Sequence, residues 1–254
     1  MRTFLGDVSG RCTKEDRMKP RGRGRATGLV VALALTLAAG SRIAAQVQAP
    51  QPGVPEIFTI QGEFVRVAYN NEGYVSLGYR TANQSAGEEW MLLEVGITVR
   101  KGVEHYLLKR GAVSLETPDG KTIPLASIKE YQSAGLMGLE RRADTVRDSI
   151  NYFPPDANRA CAIVFFAQID QRAMPREQVD LSYQRACVGR LFFKVPGGIQ
   201  YGQHWLNVQF ENSLVRAPFR ILTKEEEKEF SKSWKNIKKE LDKAWANAAK
   251  KQKS

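Results

Sequence analysis

The 254-residue sequence predicts a mainly β fold, an antiparallel sandwich with one helical insertion and a C-terminal amphipathic helix. Three observations predict it. Across residues 56–222, short apolar segments with two-residue alternation are separated by turn signals. Over 127–151 the pattern changes to helix formers and charges. From residue 223 onward, large apolar side chains recur at helical spacing on one stripe.

Residues 1–45 precede the fold and read as a secretory signal peptide. Arg21, Arg23 and Arg25 form a basic region, Thr27 to Gly40 an uncharged apolar block, and Ile43-Ala44-Ala45 a cleavage site between Ala45 and Gln46. The block is about 14 residues, against about 20 for a spanning helix. Met18-Lys19-Pro20-Arg21 would open a leader of ordinary length, so Met18 competes with Met1 as the start. No cysteine follows the block and no Arg-Arg pair precedes it, which argues against a lipoprotein and a twin-arginine route. The expected destination is periplasmic or secreted. Residues 46–55, rich in Pro and Gln, read as a flexible linker.

The strands are then justified in turn. Ile57 to Ile60 and Glu63 to Tyr69 come first, Asn70-Asn71-Glu72-Gly73 turns, and Tyr74 to Tyr79 returns. Asn83 to Gly87 reads as a loop containing the sequon Asn83-Gln84-Ser85, and Trp90 to Val99 as the longest strand. Val113 to Glu116 and Thr122 to Leu125 flank Pro118-Asp119-Gly120-Lys121, a hairpin signal. The insertion at 127–151 is expected as two helical pieces broken at Gly135 and Gly138 and ended by Pro154-Pro155. Cys161 to Ile169, Cys187 to Val195, His204 to Glu211 and Val215 to Leu222 complete nine or ten strands, paired antiparallel because the connections are short.

The runs WMLLEVGITV, GAVSLETPDGKTIPL and the late strand pair ending in APFRIL resemble bacterial exported immunoglobulin-like sandwich proteins over residues 57–222. The resemblance implies an immunoglobulin-like fold and, for some members, partners in the cell envelope. It departs from antibody-type domains at Cys161 and Cys187, which lie late and flank no central tryptophan, and it carries no functional residues across.

Charge excludes one class of partner. The chain holds 38 basic and 27 acidic residues, of which nine and three lie in 1–45 and ten and six in 223–254. Residues 46–222 therefore hold 19 and 18, which gives no basis for nucleic-acid binding. Cys12 is lost with the leader, leaving Cys161 and Cys187 as a disulfide, against the alternatives of reactive thiols or metal ligands. His105 and His204 stand far apart and read as strand-edge or loop residues, so no zinc-type ligand set forms. Gly120-Lys121-Thr122 has Leu115 where a phosphate loop needs glycine. Ser76 lacks a nucleophile-elbow spacing, and Asp144, Asp148 and Asp156 lack that of a calcium loop. No cofactor is called for. Carboxylate pairs such as Glu88 with Glu89, or Glu94 with Glu116, keep open an enzyme acting on glycans.

The tail, 223–254, has the sharpest design. Thr223 and Glu226 make a capping box, with acidic residues in the first turn and lysines in the last. Glu225–Lys228, Glu229–Lys232 and Glu240–Lys243 are spaced as i,i+3 pairs. At about 100° per residue, Phe230, Trp234, Ile237, Leu241 and Trp245 fall on one stripe, and most lysines lie opposite. Burying five such side chains is worth about 8–15 kcal/mol. The stripe docks on the chain's own sandwich, in the groove of an envelope partner, or on a membrane surface. Lysines directed away from the stripe count against the last. The arginines of the insertion, Arg141, Arg142 and Arg147, read as solvated or as shaping a patch at one sheet end. Together these features favour a non-enzymatic exported binding or structural module.

Overall fold

A computed structural model describes residues 57–103, 105–167 and 174–251, with side chains described except for 57–58, 241–242 and 244–251. The expected signal peptide, its expected Ala45–Gln46 cleavage site and the expected 46–55 linker lie outside the described residues.

Among the described residues twelve strands form three sheets. The largest takes β1 (Ile57–Gly62), β2 (Val65–Tyr69), β3 (Gly73–Gly78), β4 (Trp90–Val99), β10 (Arg185–Lys194) and β8 (Arg159–Ile163), in that spatial order. The second takes β12 (Leu214–Ile221), β11 (Gly202–Gln209), β6 (Val113–Glu116) and β7 (Thr122–Pro124). A third pairs β5 (Tyr106–Lys109) with β9 (Gln178–Leu181). The described chain is therefore mainly β, as expected, with largely antiparallel pairing.

One pair departs from that expectation: β8 and β10 run parallel, with Cys161 opposite Cys187. Parallel neighbours need a long return path, and residues 164–184, which include β9, supply it. The two cysteines form a disulfide with Cα atoms 4.1 Å apart.

The two larger sheets share one apolar core, in which Tyr79 at the end of β3 meets Phe219 of β12 with ring centroids 5.3 Å apart. Their turns are tied as well. The β2–β3 turn, expected at Asn70–Gly73, folds around Asn70, whose Oδ1 accepts from the Glu72 and Gly73 amides at 2.9 and 2.8 Å. Glu72 then accepts from the Asn212 amide at 3.1 Å and from the Ser213 hydroxyl at 2.6 Å in the β11–β12 turn. With the Asn212 side-chain amide as a third donor at 3.5 Å, this buried carboxylate fixes where one sheet ends against the other.

The helices correct the expectation in three places. The loop expected at Asn83–Gly87 starts with a short helix, α1 (Arg80–Gln84), too brief to show a period. The insertion forms α2 (Ile128–Ser133) and α3 (Met137–Thr145), broken at Gly135, whose φ of 63° suits glycine. Gly138 lies inside α3 and breaks nothing. Helix stops at Thr145 rather than Asn151, where β-branched and short polar residues of poor helix propensity begin. A capping box, Ser127 with Glu130, starts α2.

The tail forms α4 (Lys224–Lys251), a helix of 28 residues and about 42 Å. Its Thr223–Glu226 capping box closes as expected, at 3.0 and 3.3 Å, and Glu240–Lys243 forms an ion pair at 2.9 Å. No helix among the described residues is long and apolar enough to cross a membrane, which says nothing of strands.

Candidate functional site

Strand β4 is buried along almost its whole length, so both its faces are covered. One face meets the shared core. Across the other runs residues 146–156, an irregular strap that follows α3. Gly78 and Gly96 make room for it. A Cβ at Gly96 would lie 2.5 Å from the Phe153 ring, and one at Gly78 would lie 3.0 Å from Ile150. Replacing Gly96 with alanine should therefore destabilise the protein by about 1–3 kcal/mol, because the ring must leave its seat. A thermal melt with hydrogen exchange over 146–156 checks this, since without the clash alanine in a strand would be stabilising.

Ion pairs fasten the strap. Arg147 of the strap meets Glu94 of β4 at 3.5 Å, and Arg190 of β10 bridges Glu94 at 3.5 Å and Asp144 in the last turn of α3 at 2.5 Å. Arg80 of α1 grips Asp148 through two nitrogens at 2.9 and 3.0 Å, and its Nη2 also reaches Glu63 at 3.3 Å. Glu94 is buried, and its desolvation raises its pKa above the ordinary glutamate value, against the pull of Arg190 and Arg147.

The same cluster continues into the root of α4. The hydroxyl of Ser231 donates to Glu63, and the Arg66 guanidinium sits 5.8 Å from the Phe230 ring centroid. Asn83, buried in α1, accepts from the Leu222 amide at 2.7 Å and donates to Glu227 at 3.3 Å. Its side chain is thus committed to holding the tail, which corrects the reading of Asn83-Gln84-Ser85 as an open loop. Arg220 pairs with Glu226 at 2.6 Å. Arg80 and Glu63 therefore link the strap to the helix root.

The stripe residues divide along α4. Phe230 and Trp234 are half-buried, while Ile237 is 50% exposed and every residue of 235–240 is exposed. The side chains of Leu241 and Trp245 lie outside the described residues.

The carboxylates singled out in the sequence are each matched to a cation. Glu88 takes both terminal nitrogens of Arg142, at 2.8 and 2.6 Å, and Glu89 meets Lys194 at 3.4 Å. Glu94 is held within the strap cluster and Glu116 by Arg216 at 2.6 Å, on different sheets. Glu88, Glu89 and Arg142 border a cleft of about 360 Å³ with Trp90 and Leu136. A larger cleft, about 490 Å³, opens beside β7 over Ile123, Leu125 and Val195. Its Lys121 is paired with Asp119 at 2.6 Å and its Glu130 is engaged with Ser127. Hydrogen bonds from Lys121 and Thr117 bring the Asp119 pKa down to about 2.

The arginines of the insertion are more engaged than expected: Arg142 and Arg147 hold Glu88 and Glu94. His204 is a correction. It lies fully buried in β11, stacked on Phe219 at 5.3 Å, and burial lowers its pKa. His105 is exposed, 3.4 Å from Asp180. Among the described residues no group of three His, Cys, Asp or Glu side chains is placed to hold a metal ion.

The strap and its glycine seats were missed in the sequence, although Gly96 inside an otherwise apolar strand is a signal of close approach. Fold and site define a mainly β protein whose outer sheet face carries an ion-paired strap joined to the base of a long helix. Comparison with family models, curated proteins and solved structures gives no match for this chain.

Proposed function

We propose that this chain is an exported immunoglobulin-like β-sandwich that serves as a non-enzymatic binding or structural module at the bacterial cell envelope, with the distal part of α4 as its contact element. The observation that carries the reading is the division of α4. Its root is bonded to the domain through Asn83, Glu63 and the capping box, and beyond Trp234 it presents Ile237 and a run of lysines to solvent. A helix bonded to the domain at its root and exposed over 235–240 is a presented element rather than a core element. The cross-link between Cys161 and Cys187 supports an oxidising compartment, in line with the leader at 1–45. The cation held against each of Glu88, Glu89, Glu94 and Glu116 supports a structural part for these carboxylates.

The test is cell fractionation with N-terminal sequencing, run on the full chain and on chains ending at Leu222 or Lys235. The full chain is expected in the exported fraction, beginning at Gln46 and retained by the envelope. Ending the chain at Lys235 should leave the melting midpoint nearly unchanged and release the protein from the envelope. Ending it at Leu222 should also lower the midpoint by about 5–10 °C, through loss of Phe230 and Trp234 burial. A full chain that stays in the cytoplasm with residues 1–45 attached overturns the reading.

A further inference from the structure

We propose that the distal half of α4 docks on an anionic lipid surface. The inference rests on the reading of α4 as the contact element and names what it contacts.

Charge selects the partner. Residues 235–254 hold seven basic and two acidic residues, a net of +5, whereas the four glutamates of the first turns lie at the bonded root. Lys235, Lys238, Lys239 and Lys243 are all exposed. A second copy of the same segment would set +5 against +5, so pairing of two distal halves is opposed by their own charge. The occupant must be anionic.

Shape and composition select a surface. By helical spacing the distal stripe is Ile237, Leu241 and Trp245, of which Ile237 is exposed, a composition of the kind that settles at a membrane–water interface, where tryptophan is favoured. Lys238 lies about 40° around the helix from Trp234, close enough for its stem to run along the apolar edge and its ammonium to reach headgroups. Lys235, Lys239 and Lys243 turn further away. A helix is only about 10–12 Å across, however, and the screening length at physiological salt is about 8 Å, so those lysines still feel a charged surface beneath the stripe. Lysines opposite the stripe thus weaken the attraction without abolishing it, which points to shallow, salt-sensitive and reversible binding.

The experiment uses the full exported chain with sedimented vesicles, either pure phosphatidylcholine or phosphatidylcholine with one-third phosphatidylglycerol. Binding to the anionic vesicles alone is expected, weakening steeply as salt is raised. The triple variant Lys238→Glu, Lys239→Glu, Lys243→Glu should bind about 100-fold less tightly. Ile237→Asp should also lose binding, and since all four positions are exposed the melting midpoint should stay put in both variants. Equal binding to both vesicle types, or binding unchanged in the triple variant, overturns the lipid assignment. A photo-crosslinker at position 237 separates the two levels. A defined protein adduct in intact cells without vesicle binding overturns the lipid assignment and leaves the contact element standing. Neither adduct nor vesicle binding overturns both.

Discussion

Replacing Arg110 with methionine is expected to cost about 3–5 kcal/mol, lowering the melting midpoint by about 10 °C or more. Arg110 is 9% exposed and follows β5 in a single 3-10 turn. Its guanidinium donates to the carbonyls of Phe165 and Ala126, lies 4.6 Å from the Phe166 ring centroid, and approaches Glu177 at 3.6 Å. Burial lowers its pKa, yet it stays charged at any working pH because an arginine starts so high. Methionine keeps much of the volume but removes all the donors. Two buried carbonyls are then left without partners, at about 1–3 kcal/mol each. Since Phe165 follows β8 and Ala126 follows β7, the damage should spread to both edges. Urea unfolding checks the size, and a loss below about 1 kcal/mol would show that water replaces the guanidinium.

Removing the cross-link is the second large effect. Cys161 and Cys187 are 26 positions apart, and closing a loop of that length is worth about 3.5 kcal/mol through the entropy of the unfolded chain. The double serine variant should therefore melt about 7–14 °C lower. Reductant should destabilise the wild type by a similar amount and leave the variant alone. Equal melting of the oxidised and reduced wild type would mean that the parallel pairing of β8 with β10 holds without a covalent tie.

Much of the fold was legible because strands announce themselves through alternation and turn chemistry. Trp90–Val99 and Val113–Glu116 were readable to the residue, and the Thr223 cap marked the start of α4. What stayed hidden has physical causes. β5 and β9 are four residues each and carry Lys109 and Asp180, so neither shows a run long enough to separate from loop. The parallel pairing was hidden because a return path of twenty-odd residues looked like a loop rather than a crossover. His204 was misplaced because a polar side chain within an apolar strand says nothing of which face is covered. For the site, the sequence showed the stripe of α4 but not where it would be gripped. Asn83 read as a glycosylation signal, and only proximity to Leu222 and Glu227 reveals it as the anchor of the tail. The strap was invisible for the same reason. Its pairs join Arg80 to Asp148 and Glu94 to Arg147, and separation along the chain erases any local pattern.

The spatial order β4–β10–β8 bears on how the chain acquires its shape. Synthesis delivers β8 before β10, yet β10 must end up between β8 and β4. Until β10 arrives, β4 presents an open edge with an earlier and wrong neighbour available to fill it. The sheet is therefore completed by insertion of a central strand between two others rather than by growth at its rim, a non-local pairing of the kind that slows folding. Cys161 and Cys187 stand in register only after that entry. Oxidation of the pair therefore records the arrival of β10 and locks out the premature pairing of β8 with β4.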